Sequence, residues 1–330
     1  MDDPQAAQGD PLRGSEAFGI HSREMTALWT PYNATEASKI RPWVDANLTA
    51  TAQAQALFYP FAGADVLFAR ALFPHARHYV LVGLERVGAL ADLNALPAKK
   101  VELEYERIRK ALTPLLRATY FRTMEMQADV FQDGILTMVT ALLAGTHHRI
   151  VAVDVIALTK DGRVEEQAGG PNMTPGARIV FVTEGETDTR TLYYFRSDIS
   201  DAGLAKQGGL LKFADTLPSK VSFTKAASYR MQDRTFSTIR QYVLANSQAV
   251  LEDDTGVPLK YFDRATWDLR YFGTYVEPIA MFKGYRQPDL AQAFAQSTNV
   301  GPLEFHVGYG ETKGSNLMLA VRRNSANPEK

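Results

Sequence analysis

The chain has 330 residues, 36 basic and 37 acidic, and a formal net charge of −1, with 45% of its residues hydrophobic and 22% charged. That is an ordinary globular composition, long enough for a large buried core. The absence of cysteine excludes disulfides, thiolate metal sites and Cys nucleophiles; a balanced charge with no Lys/Arg run longer than two offers no global basic field for nucleic acid, and no run of 18 apolar residues offers a transmembrane segment.

Met1 to Asp10 is acidic, small and polar, without the basic-then-apolar pattern of a secretion leader. Two readings stay open: a cytosolic chain, or an exported one whose leader has been removed. Residues 1–14 read as a flexible arm, 15–323 as a single α/β domain and 324–330 as a flexible tail.

Ala34 to Leu48 reads as a helix, with Pro42 placed to kink or split it. Ala56–Phe61 is a short apolar run, a buried strand, and Gly63 allows a tight turn after it. A helix over Asp65–Phe73 stops at Pro74, and His78–Glu85 is a second strand. Strand, glycine turn, helix, strand is a crossover unit that makes parallel strands. Ala98 to Phe121 repeats apolar residues every three or four positions, one helical face, with Pro114 expected to break or bend it. Gly134–Ala144 is a further amphipathic helix.

From Arg149 the texture changes. Arg149–Thr159 is a strand, Gly169–Gly176 a loop, and Arg178–Thr183 with Thr189–Arg196 a hairpin around Gly185. These read as antiparallel strands added in the middle of the chain, either on the main sheet or as a separate layer. Lys220–Ala227 returns to a strand, Asp233 caps a helix reaching Asn246, and Ala249–Leu251 is a strand opening onto Glu252-Asp253-Asp254. Asp289–Ala295 is a helix. Leu303–Tyr309 and Asn316–Arg322 read as a closing β-hairpin. The fold class expected is α/β: a Rossmann-like mixed sheet flanked by helices, with added antiparallel strands and a C-terminal β-hairpin.

In a doubly wound sheet, ligands sit beyond the carboxyl ends of the parallel strands. That rule selects the candidates. Tyr59 lies on the first strand, and Gly63 and Asp65 follow it. Glu85 ends the second, 22 residues after Gly63, close to the spacing at which an acid accepts hydrogen bonds from a ribose. The dinucleotide fingerprint is nevertheless incomplete: Gly63 stands alone, and Asp65 occupies the helix start where a phosphate would bind. The plainer reading of the same residues is a turn glycine, a helix cap and a solvated strand end. Lys225 lies on the third strand and Ser228 and Tyr229 just after it; a Ser near a Lys or Tyr can support nucleophile chemistry, but no G-x-S-x-G elbow is present. Asp253 and Asp254 follow the fourth, where clustered carboxylates can share a proton or hold a hard cation, or simply form a charged turn before Pro258. Alternation along a strand would turn neighbouring acids to opposite faces. Tyr271 and Tyr275 belong to an aromatic stretch that reads as core or lid or, alternating with Arg270, Gly273 and Arg286, as the lining of a ligand groove, which makes both candidates. His75 and His78 have H-x-x-H spacing but straddle a helix stop and a strand start, and no metal site is expected. Tyr229 and Asp253 are expected in one cleft, because a single helix separates their strands.

As a set, Phe58-Tyr-Pro-Phe-Ala-Gly-Ala-Asp65, Tyr79-Val-Leu-Val-Gly-Leu-Glu-Arg-Val-Gly88, Lys225-Ala-Ala-Ser-Tyr229, Phe236-Ser-Thr-Ile-Arg240, Glu252-Asp-Asp-Thr-Gly-Val-Pro258 and Tyr271-Phe-Gly-Thr-Tyr275 resemble a group of exported, largely uncharacterised bacterial proteins, some of them lipoproteins. The resemblance runs from about Trp29 to Arg323. It implies a periplasmic or secreted protein, a removed leader and an envelope association, and it implies no reaction. The arrangement alone is similar to Rossmann-like methyltransferases, whose final antiparallel strand pair the closing hairpin resembles; that would imply a cytoplasmic enzyme using S-adenosylmethionine. The expectation is therefore a Rossmann-like protein binding a small molecule, with no cofactor required, and the methyltransferase-like enzyme as the alternative.

Overall fold

The computed structural model describes residues 12–118, 134–166, 169–170, 172–309 and 314–323. The tail, most of the arm, the expected end of the long helix at 119–121 and part of the 169–176 loop lie outside them.

The chain is mixed α/β. Among the described residues an 11-stranded sheet runs in the order β10-β9-β11-β8-β7-β1-β2-β6-β5-β3-β4. Its parallel centre is β6 (Thr189–Arg196), β2 (His78–Gly83), β1 (Ala56–Tyr59), β7 (Lys220–Thr224) and β8 (Ala249–Glu252). Both expected crossovers are present: β1 reaches β2 through α3 (Val66–Leu72), and β7 reaches β8 through a helix over Ser237–Asn246. β1 has β2 on one side and β7 on the other, so the winding direction reverses between β1 and β7. The middle strands extend this sheet rather than forming a layer: β3 (His148–Leu158), β4 (Val164–Glu165) and β5 (Thr174–Thr183) continue antiparallel beyond β6.

Alternate residues of the strands face two cores. Leu57, Tyr59, Tyr79, Leu81 and Phe223 pack with α1 (Glu16–Tyr32), α2 (Ser38–Asn47), α3, α4 (Ala98–Ala118) and α5 (Leu136–Gly145). Phe58, Val80, Val82 and Val250 face the other way, toward α6 (Asp201–Gln207), α7 (Gly209–Asp215), α8 (Ser237–Asn246) and α9 (Pro288–Gln296).

Several expectations are corrected. Helix begins at Glu16, capped by Ser15, whose Oγ accepts from Phe18 N at 3.2 Å, and it passes a π-helical turn at Asn33–Ala37 into α2. Pro114 does not break α4. A helix-interior proline costs about 3 kcal/mol, whereas Leu112, Leu115 and Leu116 of the same turns are buried and contribute roughly 1.5–3 kcal/mol each. β7 stops at Thr224 because Ala226 takes φ 57, ψ −84. The aromatic stretch contains a strand, β9 (Trp267–Gly273), with the short β10 (Val300–Gly301) parallel to it. The C-terminal antiparallel pair is β9 with β11 (Asn316–Arg322), which also pairs antiparallel with β8. Leu303–Tyr309 is not a strand. Its backbone turns to side chains instead: His306 N donates to Glu36 Oε2 at 2.7 Å and Val307 N to Ser315 Oγ at 2.9 Å.

Candidate functional site at the carboxyl edge

At a reversal of winding such as that between β1 and β7, open α/β sheets have a crevice beyond the carboxyl ends of the strands; here two buried charged side chains fill that place. Lys225 Nζ lies 3.0 Å from Asp65 Oδ2, and both side chains are 2% exposed. Asp65 is also the N-cap of α3: Oδ1 accepts from Phe68 N at 3.2 Å, and Oδ2 accepts from Tyr59 OH at 2.8 Å. The Lys225 ammonium lies 4.2 Å from the Phe68 ring centroid, a further cation–π contribution. One carboxylate thus joins the end of β1, the start of α3 and the end of β7.

Next to Lys225, Ala226 has a positive φ that costs about 1–3 kcal/mol in a non-glycine residue. Its N–H donates to Asp253 Oδ2 at 2.8 Å, while Asp253 Oδ1 accepts from Thr255 N at 3.0 Å and Thr255 Oγ1 at 2.5 Å. β8 ends at Glu252, so Asp253 and Asp254 lie in a turn and strand alternation no longer separates them. All three acids are buried. Asp254 Oδ2 accepts from Tyr229 OH at 3.1 Å and Oδ1 from Asn316 Nδ2 at 3.2 Å. Glu252 Oε2 accepts from Val257 N at 2.9 Å. Burial pushes Glu252 and Asp253 above the usual carboxylate range. Burial, followed by the neighbouring Asp253 charge, pushes Asp254 up to about 7.

Glycines admit these acids. A Cβ at Gly308 would meet Asp253 Oδ2 at 2.3 Å, and one at Gly256 would meet Glu252 Oε2 at 2.3 Å. The same holds at β2: a Cβ at Gly83 would lie 2.3 Å from Glu85 Oε2, and one at Gly63 3.3 Å from Glu85 Oε1. Tyr194 OH, from β6, donates to the Glu85 backbone carbonyl at 2.8 Å and stands 3.2 Å from Oε2. Gly63 and Glu85 remain half-exposed, which distinguishes this end of the edge from the buried acids.

The structure therefore brings together Tyr59, Asp65, Lys225, Asp253, Asp254 and Tyr229, with Gly63 and Glu85 alongside at the turn between β1 and α3. Ser228 is fully buried, and its Oγ donates to Lys225 O at 3.4 Å. Tyr271 does not join them. It lies on β9, faces the α9 side against Phe294 at 5.0 Å between centroids, and its OH accepts from Arg264 Nη2 at 2.9 Å. Tyr275 stands one step back: its OH accepts from Gln287 N at 3.3 Å, and Gln287 Nε2 donates to Asp254 O at 2.8 Å. Asn316, Thr255, Gln287 and Tyr194 are not singled out by the sequence. Thr255 acts locally, on Asp253 two residues before it, whereas Asn316, Gln287 and Tyr194 gain their roles only when distant segments meet. The Tyr229 ring packs in an aromatic group with Phe282 at 4.7 Å and Tyr285 at 5.4 Å between centroids.

Comparison of the chain with protein-family models, with curated proteins and with solved structures gives no match.

Proposed function

We propose that this chain binds a small, hydroxyl-bearing, phosphate-free molecule at the carboxyl edge of β1 and β2, with Glu85 as the accepting group. One observation carries the reading: Glu85 is oriented by Tyr194, faces the side-chain-free Gly63, and stays half-exposed at the edge where such sheets take ligands. The Asp65–Lys225 pair fills the adjoining crevice and puts a carboxylate at the start of α3, the place a phosphate needs. No cofactor is required by this reading. The resemblance to exported bacterial proteins extends it to a periplasmic or secreted, envelope-associated binding protein, which fractionation of the native host checks.

A thermal-shift panel of nucleosides, sugars, S-adenosylmethionine, NAD and ATP tests the site. Stabilisation by a phosphate-free hydroxylated compound, lost in Glu85→Ala, is the expected result. NAD and ATP should leave the melting temperature unchanged. A shift of several degrees with NAD that Glu85→Ala abolishes would restore a dinucleotide site and defeat the proposal.

A second reading is a methyltransferase-like enzyme. It is favoured by β11, which runs antiparallel between β8 and β9 in the manner of the strand pair noted above. S-adenosylmethionine has ribose hydroxyls for Glu85 and no phosphate to meet Asp65. Stabilisation by S-adenosylmethionine alone within the panel would favour this reading.

A further inference from the structure

The opposite, amino-terminal edge of the sheet carries a second charged group that the carboxyl edge does not explain. Arg70, on α3, is 7% exposed. Nε donates to His148 Nε2 at 3.1 Å, and Nη1 donates to Pro74 O at 3.0 Å and to Tyr79 OH. The guanidinium carbon lies 5.3 Å from the Tyr79 ring centroid and 5.5 Å from that of Phe181. Among the described residues no hydrogen bond reaches Nη2 and no carboxylate lies within ion-pair distance of this guanidinium; Glu186 feels its charge across the cavity but makes its ion pair with Arg190. Buried charges are normally paired, because desolvation without a counter-charge costs several kcal/mol.

The histidine beside it does not change that charge balance. His148 accepts from Arg70 through Nε2, so its proton sits on Nδ1, which faces Thr146 Oγ1 at 3.0 Å and Leu143 O at 3.3 Å. Burial and the Arg70 charge push His148 down to about 4, so it is neutral at physiological pH. Arg190, the next cation, is already paired with Glu186 at 2.6 Å.

Arg70 lines a cavity of about 410 Å³, within the size range of small-molecule sites. One wall is apolar, made by Ile40 and Val44 of α2 and by Leu67 and Ala71 of α3; the other carries Thr146, His148 and the Arg190–Glu186 ion pair, and Arg41 and Asp45 of α2 stand at the lining as well. A single buried positive charge at the junction of an apolar wall and a polar one matches a molecule with one anionic end and a hydrocarbon body. We propose that this cavity binds a small organic monocarboxylate, its carboxylate on Arg70 Nη2 and its apolar body along α2 and α3. The site lies across the sheet from Glu85 and does not depend on the carboxyl-edge reading.

Calorimetric titration of the full chain with octanoate, octan-1-ol and inorganic phosphate tests this. Octanoate should bind at one site per chain. The alcohol, which lacks the charge, and phosphate, which lacks the body, should each bind at least tenfold more weakly. Arg70→Met should weaken octanoate at least tenfold. Because that variant removes a buried network member, Ala71→Trp provides the second arm: it fills the cavity from the α3 wall and leaves Arg70 in place. It should abolish octanoate binding while the circular dichroism spectrum stays that of the wild type. Failure of octanoate to bind, phosphate binding as tightly as octanoate, or octanoate affinity unchanged in Ala71→Trp would each overturn the proposal. Glu85→Ala should leave octanoate affinity unchanged, and a loss there would place the ligand at the other edge instead.

Discussion

Replacing Lys225 with Met lowers the stability of the protein by about 3–5 kcal/mol. Lys225 and Asp65 are an ion pair removed almost wholly from water. Taking away the cation leaves Asp65 ionised in a buried crevice, or forces it to protonate and weaken its hold on Tyr59 and the first turn of α3. A surface pair sets the contrast. Arg77 and Asp188 are also 3.0 Å apart, but their side chains are 58% and 65% exposed, and Arg77→Ala should cost no more than about 1 kcal/mol. Asp65→Asn in the Lys225→Met background separates charge from packing, since Asn caps a helix as well as Asp does. The double variant should recover part of the loss, because no unpaired charge remains. Urea denaturation of the single and double variants gives the coupling. A loss in Lys225→Met no larger than that in Arg77→Ala would show that the crevice pair is not what holds β1, α3 and β7 together.

The parallel centre is legible in the sequence because its signals are local. Ala56–Tyr59, Gly63 and His78–Gly83 lie within 28 residues, and apolar runs separated by a glycine turn and one helix admit one right-handed arrangement. The same logic expects Tyr229 and Asp253 together beyond the β7–β8 crossover; the side chain that meets Tyr229, at 3.1 Å, is that of the next residue, Asp254. What the sequence hides depends on distant partners. β9 alternates only over five residues, with Asp268 and Arg270 exposed between Trp267, Leu269 and Tyr271 before the buried Phe272 breaks the period, so aromatic content masks a short strand whose partner lies about 50 positions on. Leu303–Tyr309 has the alternation of a strand, yet Gly308 at φ 65 and the side chains of Glu36 and Ser315 take its backbone out of the ladder. Tyr271 departs from its expected place for the same reason as β9 itself. Once that strand lies beyond β11, its tyrosine is two strands away from β8. The Arg70 network leaves no trace in the sequence because its members, Arg70, Tyr79 and His148, come from a helix and two strands with no motif between them.

Substituting Asp254 with Asn makes the protein less sensitive to pH and more stable above neutrality. The folded-state pKa, about 7, stands above the ordinary aspartate value of 3.8. Below 3.8 the carboxyl is protonated in both folded and unfolded chains, and its burial carries no charge penalty. As pH rises, the unfolded chain releases its proton first, so stability falls across the interval and levels off once the folded carboxyl has ionised near 7. The full difference corresponds to about 4 kcal/mol. The amide of the Asp254→Asn variant has no proton to release and keeps its neighbours: its carbonyl accepts from Asn316, and its NH₂ can donate to the Tyr229 oxygen, which then donates elsewhere. The two proteins should therefore have similar urea midpoints at about pH 4 and diverge as pH rises, with the Asp254→Asn variant the more stable at about pH 8. The decline does not vanish, since burial also raises Glu252 and Asp253 and these remain. It becomes shallower, and the removal of one charge beside Asp253 eases the ionisation of the other. Parallel pH profiles for the two proteins would mean that Asp254 is hydrated and ionised in the folded chain, and the buried acid cluster beyond β8 would then have to be redrawn as an open, solvated turn.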